Sequence, residues 1–214
     1  MVFAKFDHAI TLVTNQGKGE KMAKFDVKSA YRLLPVRESD FRFLGMQLEG
    51  KVYIDKMLPM GAKISASHWE AFGRAWDWLV NQHPNFDGNT CRCMDDMLCI
   101  FGPHSNPTPS VSAVFEVCTE IGLPLAAEKT VLPTTNITFL GLNIDSNKQT
   151  IGVPLDKVNR AQIALEKLIS ARKIKVRQIM SLAGLLNFIC KVIPAGRPFL
   201  RCLFDSVKGK GKHM

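Results

Sequence analysis

Two adjacent carboxylates, Asp95 and Asp96, stand between two short apolar runs, Cys91–Met94 and Met97–Phe101. Runs of this length read as β-strands, and only Asp95-Asp96 separates them. The segment therefore reads as a tight hairpin with that pair at the turn, since aspartate tolerates the positive φ such turns require. Charges beside a buried sheet need water, a partner or a metal. No Lys or Arg lies within Cys93–Phe101 to neutralise them. A hard divalent cation would do so, because Mg²⁺ takes oxygen ligands, commonly one or two carboxylates together with substrate phosphates.

A third carboxylate, Asp26, closes the extended stretch Lys21–Val27. Around these acids the elements come in a definite order. Asp7–Gln16 has weak helical periodicity. Phe41–Gln47 and Lys51–Met57 are extended runs about Glu49-Gly50, a hairpin signal. Ser65–Val80 carries Ala66, Trp69, Phe72, Trp76 and Leu79 on one helical stripe. Ser110–Ile121 reads as a second helix ending at Gly122, and Ile137–Ile144 as a further strand.

Strand, helix, strand, strand, helix, strand is the split βαβ pattern of an α+β, ferredoxin-like antiparallel sheet with helices on one face. In such a sheet the first and third strands can be neighbours, which would bring Asp26 to Asp95-Asp96. Three carboxylates around one point can hold two metals about 4 Å apart and serve an in-line phosphoryl displacement. Taken singly, the Asp pair is also what a solvated turn shows, and Asp26 what a strand-end cap shows.

From Asp156 the pattern is helical: Asp156–Arg172, Val176–Val192, then a helix opened by Pro198 and running to Val207. The expected organisation is a mixed domain over 1–150 with its hairpin at 41–57, a helical unit over 151–207 and a disordered basic tail over 208–214. Charge follows the same division. The net charge is +9, yet Asp156–Lys212 holds 13 Lys+Arg against 3 Asp+Glu. The whole positive excess therefore lies in the last quarter, which suggests contact with a polyanion, most often nucleic acid. A solvated helical face is the plainer alternative.

No apolar run approaches the roughly 20 residues of a membrane span, and the first residues lack the apolar core of a signal peptide. The six cysteines form no C-x-x-C pair and sit in apolar surroundings. They read as reduced buried thiols of a cytoplasmic or nuclear protein rather than a zinc site or a secreted disulfide framework.

Lys24-Phe-Asp-Val-Lys-Ser-Ala-Tyr-Arg-Leu-Leu-Pro-Val36 closely resembles motif A of reverse transcriptases. Leu58-Pro-Met-Gly-Ala-Lys-Ile-Ser-Ala-Ser67 resembles motif B, and Cys93-Met-Asp-Asp96 the Y-x-D-D box, motif C. Gly122-Leu-Pro-Leu-Ala-Ala-Glu-Lys129 looks like motif D, and Phe139-Leu-Gly141 like motif E. Ser181-Leu-Ala-Gly-Leu-Leu-Asn-Phe188 resembles the helical segment after the palm in retroelement polymerases. Pro124–Lys129 and Pro194-Ala-Gly-Arg-Pro-Phe-Leu-Arg201, with motifs A and B, are most similar to DIRS-type retrotransposons.

The resemblance implies a right-hand polymerase: a palm, a partial fingers hairpin and a thumb-like helical unit. It implies an RNA-directed DNA polymerase that uses two Mg²⁺ or Mn²⁺ ions, an RNA or DNA template with primer, and dNTPs. Asp26, Asp95 and Asp96 would hold the metals, with the Val27 carbonyl assisting. Tyr31 would be the steric gate against a ribose hydroxyl, although core packing beside Ala30 also suits it. Met60 and Gly61 would lie by the nascent base pair. Lys129 would give a proton to the leaving pyrophosphate, unless it is a plain surface lysine. Phe139, Leu140 and Gly141 would support the primer end; the first two also suit a buried strand. Arg160, Lys167, Lys173, Lys175 and Arg177 are the candidates for backbone phosphates.

The chain departs from the family pattern at Cys93, where most members have Tyr. Only 25 residues precede Asp26 and none of a ribonuclease H region follows Lys212. The expectation is a fragment or truncated copy, with the upstream fingers and the ribonuclease H on adjacent sequence. The alternative to an active polymerase is a domesticated, inactive palm that binds nucleic acid. A nucleotide cyclase on a similar sheet explains neither Leu58–Gly61 nor the basic helices.

Overall fold

The computed structural model describes residues 6–208. The basic tail expected at 208–214 lies outside the described residues except for Lys208. The chain divides into two compact units: residues up to 140 with 144–149, and residues 141–143 with those from 150 onward.

The first unit opens with α1 (Phe6–Gln16) and β1 (Lys21–Asp26). Two 3₁₀ turns, Ala30–Leu33 and Glu38–Phe43, lead to the ribbon β2 (Gly45–Leu48) and β3 (Lys51–Ile54). Then come α2 (Lys63–Gln82), β4 (Asn89–Cys93), β5 (Asp96–Phe101) and α3 (Pro107–Glu120). A 3₁₀ turn at Ala127–Lys129 precedes β6 (Val131–Thr134) and β7 (Asn136–Phe139). β8 (Leu142–Asp145) and β9 (Thr150–Gly152) lie where the chain passes between units. The second unit ends in α4 (Leu155–Ser170), α5 (Val176–Ile189) and α6 (Arg197–Val207).

The main sheet has the order β4-β5-β1-β6, all antiparallel. This is the ferredoxin-like order expected for a split βαβ chain, but its fourth strand is β6, not the Ile137–Ile144 run. Pro133 hides β6 from a sequence reading. Proline lacks an N–H for the ladder and is confined to edges and bulges. β6 is an edge strand, and its pairing with β1 shifts register between Met22 and Lys24, opposite Val131–Thr134. Ile137–Ile144 itself is two strands, β7 and β8, broken by Leu140 (φ 48°) and Gly141 (φ 77°), both left-handed.

Side chains alternate across a strand. Ala23 and Phe25 of β1 share one face with Met97, Cys99 and Phe101 of β5, and these pack against Trp69, Trp76 and Val80 of α2 and Val114, Val117 and Cys118 of α3. The stripe of α2 that faces this core runs through Ser65, Trp69, Gly73, Trp76 and Val80 and includes Glu70; Ala66, Phe72 and Leu79 are only partly buried. α3 starts at Pro107 because Asn106 caps it, its side chain accepting from the Thr108 N–H at 3.1 Å.

The helices are not all on one face. α1 packs on β4 and β5 from the opposite side, burying Phe6, Ala9 and Val13, and His8 Nδ1 lies 3.7 Å from Cys91 Sγ. The extended runs expected at 41–57 are also shorter: Glu38–Phe43 is 3₁₀, and only β2 and β3 pair. Both ribbon strands are exposed throughout.

In the second unit α5 packs against α4 and α6 over Ala161, Leu182, Ala183 and Leu200, all buried. α5 starts where the Gln178 side chain accepts from the Lys175 N–H at 3.0 Å. All six cysteines are free, and Cys202 is exposed, contrary to the expectation that every thiol is buried. No helix among the described residues is long and apolar enough to cross a membrane.

Candidate active site

The hairpin between β4 and β5 turns one residue earlier than its acids suggest. Cys93 and Asp96 are the closing pair, so the loop residues are Met94 and Asp95, and Met94 rather than an aspartate takes the positive φ of 59°. The displacement matters because a one-residue slip sends a side chain to the other face of a sheet. With the turn at Met94-Asp95, Asp96 is the first residue of β5 and is the register partner of Asp26, the last residue of β1. Asp26, Asp96, Cys93 and Lys24 consequently share the face opposite the Trp69–Trp76 core.

Asp26 is 5% exposed, and Lys129 Nζ donates to its Oδ1 at 3.0 Å. That bond raises the Lys129 ammonium above the usual lysine range, with the Asp26 charge adding to it. Lys24 Nζ stands 4.0 Å from Asp96 Oδ1. That oxygen is buried and has no hydrogen-bond partner. Burial is the main reason the Asp96 carboxyl is pushed up to about 6, against the pull of Lys24; Asp26 and Asp95 raise it further by charge, and Asp26 stands within hydrogen-bond reach of it. Asp95 is half-buried, and its carbonyl accepts from the Val27 N–H at 3.0 Å, tying the turn to the end of β1. Val27 is buried and bridges to Leu125, while the Asp26 carbonyl accepts from the Ala126 N–H at 2.8 Å. The segment that carries Lys129 is thereby fixed beside Asp26.

Tyr31 lies in the 3₁₀ turn that follows, entered through Ser29 with φ 57°. Its ring stands edge-on to Trp69 with centroids 6.4 Å apart. Burial chiefly, and then the Asp95 charge, raise its phenol above the ordinary value. Met60 is 81% exposed in a turn completed by Gly61 at φ 90°, a conformation that favours glycine. Ser65 anchors that turn by donating to the Pro59 carbonyl at 2.8 Å.

The remaining candidates lie elsewhere. Phe139 is fully buried, and Leu140 is half-buried with left-handed backbone. The Gly141 carbonyl accepts from Lys157 Nζ at 2.8 Å, and that ammonium also sits 4.1 Å from the centre of the Phe188 ring. Arg160, Lys167, Lys175 and Arg177 line one groove of about 460 Å³ between α4 and α5; Lys173 is exposed but does not line it.

Can these residues hold divalent ions? No group of three or more His, Cys, Asp or Glu among the described residues has the arrangement of a preformed metal site. The donor chemistry nonetheless fits a hard cation. Two carboxylates meet at the strand ends, a third is adjacent in the turn, and one oxygen is buried without a hydrogen-bond partner. Sequence reasoning missed Lys24 as a neighbour of Asp96, and it missed the buried pair Arg92–Glu70, whose atoms approach to 2.8 Å behind the turn. The alternation along β1 signals the first. The second has its signal in a charged residue, Arg92, inside an otherwise apolar strand run.

A family model described as reverse transcriptase (RNA-dependent DNA polymerase) matches residues 3–144. The genome polyproteins of petunia vein clearing virus, isolates Shepherd and Hohn, are each 21% identical over 201 residues, which is 94% of this chain and 9% of theirs. Among solved structures, the foamy viral protease-reverse transcriptase in complex with RNA/DNA hybrid superposes with a TM-score of 0.72 at 19% identity, over 97% of this chain and 27% of that one. The same protein in complex with dsDNA gives 0.70 at 19% identity, over 98% of this chain and 41% of that one. The likeness to these structures is one of fold, and this chain spans less than half the length of each of these relatives.

Proposed function

The chain belongs to the reverse transcriptase family, and on that premise we propose that it is the palm, with part of the fingers and thumb, of an RNA-directed DNA polymerase that adds dNTPs to a primer 3′-OH. One observation carries the reading: Asp26 and Asp96 are register partners on one face of the sheet, beside an Asp96 oxygen that is buried and without a hydrogen-bond partner. Lys24 Nζ, at 4.0 Å, is too distant to hydrogen-bond it, and such an oxygen stays costly unless a closer cation completes it.

Asp26, Asp95 and Asp96, with the Val27 carbonyl, would hold two Mg²⁺ or Mn²⁺ ions. Ions there would stabilise charge on the attacking and leaving oxygens of the displacement. The protein's own groups supply the rest. Lys129, kept as an ammonium by Asp26, is the proton donor at Nζ for the leaving pyrophosphate. Tyr31, braced on Trp69, lies beneath the sugar and excludes a ribose hydroxyl. Met60 and Gly61 approach the new base pair. The Phe139–Gly141 turn supports the primer end through its backbone, since Phe139 is buried.

The basic groove of α4 and α5 takes phosphates of the template-primer without reading sequence. The foamy viral relatives are solved with dsDNA and with RNA/DNA hybrid, and duplexes of that kind are the partners we assign. The likeness of motifs A, B and D and of Pro194–Arg201 to DIRS-type elements supports a retrotransposon origin.

A second reading, a palm that binds nucleic acid without polymerising, is favoured by the Lys129 contact, which already holds Asp26. Primer extension on poly(rA)·oligo(dT) separates the two. Extension that requires Mg²⁺ or Mn²⁺ and is lost in Asp95→Asn is expected. Salt-sensitive duplex binding without extension would establish the second reading.

A further inference from the structure

Arg92 has no part in the chemistry above, yet it is a buried charge directly behind the carboxylates. It is 7% exposed and projects from β4 toward α2, on the face opposite Asp26 and Asp96. Its Nη2 donates to Glu70 Oε1 at 2.8 Å, and both side chains are almost wholly enclosed. Its Nη1 donates to the Met94 carbonyl at 2.9 Å. Gly73, one helical turn after Glu70, makes the room: a methyl group there would run into the guanidinium.

Met94 is the strained member of the turn, a non-glycine residue at φ 59°. The competing hairpin, with Asp95-Asp96 as the loop pair, would relieve Met94 and remove Asp96 from β5. A charge-assisted bond to the Met94 carbonyl favours the observed turn over that competitor. Glu70 in turn fixes the guanidinium, whose planar fork reaches both acceptors at once. A lone Arg at this depth would leave an uncompensated charge.

We infer that the buried Glu70–Arg92 pair is a positioning device for the acidic turn. Arg92 locks Met94 in the left-handed conformation and so keeps Asp96 in strand register with Asp26. Its catalytic consequence rests on the polymerase reading; its structural half does not. The pair acts from the core side of the sheet and touches neither substrate nor metal.

The test uses the full chain and three forms: wild type, Glu70→Met/Arg92→Met, and Gly73→Ala. The double variant leaves no unpaired buried charge, so its melting temperature stays near wild type. Gly73→Ala keeps every charge and acts on the guanidinium, the group its methyl would meet. Amide hydrogen exchange is measured without metal, Mn²⁺ binding by electron paramagnetic resonance, and template-primer binding by anisotropy. Both variants should exchange amides 94–96 roughly 10-fold faster or more, as expected for a lost hydrogen bond to a charged group. Exchange in Met22–Phe25 should not change. Mn²⁺ should bind more weakly by a similar factor, with duplex affinity unaltered.

Wild-type exchange at 94–96 in both variants overturns the inference. So does equal acceleration across β1 and the turn in Gly73→Ala, which would make the pair a general stability element. Should the double variant not fold, Gly73→Ala alone decides. Should the wild type neither bind Mn²⁺ nor extend a primer, the polymerase reading falls, and the exchange comparison still judges the clamp.

Discussion

Asp96→Asn should make the protein more stable at neutral and alkaline pH while removing a group needed for metal-dependent synthesis. The Asp96 carboxyl rises from 3.8 to about 6 in the folded chain, chiefly because burial disfavours its charge. A raised carboxyl holds its proton in the folded state at a pH where the unfolded chain has already released it. Stability from this group is therefore complete below pH 4 and is lost as pH climbs through 6. At about 1.4 kcal/mol per pKa unit the loss at pH 8 approaches 3 kcal/mol.

The Asp96 side chain keeps 26% exposure, so screening by water reduces the expected effect to about 1–3 kcal/mol. Asn cannot ionise and avoids this cost, and its NH₂ can still donate to Asp26. Urea denaturation of both proteins in chelator at pH 5 and pH 8 measures the difference. The Asn variant should gain over wild type between the two pH values by about 0.5–1.5 kcal/mol. Added Mg²⁺ should narrow the gap by stabilising only the wild type. A variant that is destabilised at pH 8, or whose difference from wild type is independent of pH, refutes the account of Asp96 as a costly buried charge.

Asp26→Asn should lower metal-dependent primer extension by roughly 10²–10³-fold, the several kcal/mol that cation-held charge contributes; single-turnover rates measure this. Tyr31→Ala should raise the ratio of ribonucleotide to deoxynucleotide incorporation, read from competing-substrate extension, and a ratio equal to wild type would assign Tyr31 to packing alone. Replacing Arg160, Lys167, Lys175 and Arg177 with Gln should reduce the slope of log affinity against log salt for duplex binding by about 2–4. Lys157→Ala removes the bond to the Gly141 carbonyl and the ammonium over Phe188, and should destabilise the carboxy-terminal unit by about 1–2 kcal/mol in thermal melts.

The meeting of Asp26 with Asp96 is legible in the sequence because it follows from two local facts: each acid lies at the end of an extended run, and the element order makes those runs neighbours. Trp69 and Trp76 likewise announce their face by helical spacing. What is not legible depends on contacts between distant residues. Nothing about Met94 suggests left-handed backbone; the turn closes there because Cys93 pairs with Asp96 and Arg92 reaches the Met94 carbonyl. Glu70 gives no signal of burial in the sequence, and its partner Arg92 lies 22 residues away. β6 is hidden because Pro133 contradicts strand propensity, and only its edge position makes the proline harmless. The covering of the second sheet face by α1 is equally a matter of tertiary packing, signalled only weakly by Phe6, Ala9 and Val13.

The irregular margin formed by β6 also limits what the sheet can join. Beyond Val131–Thr134 a further strand would meet a missing donor at Pro133 and a register that has already slipped against β1. The opposite edge, β4, contains no proline.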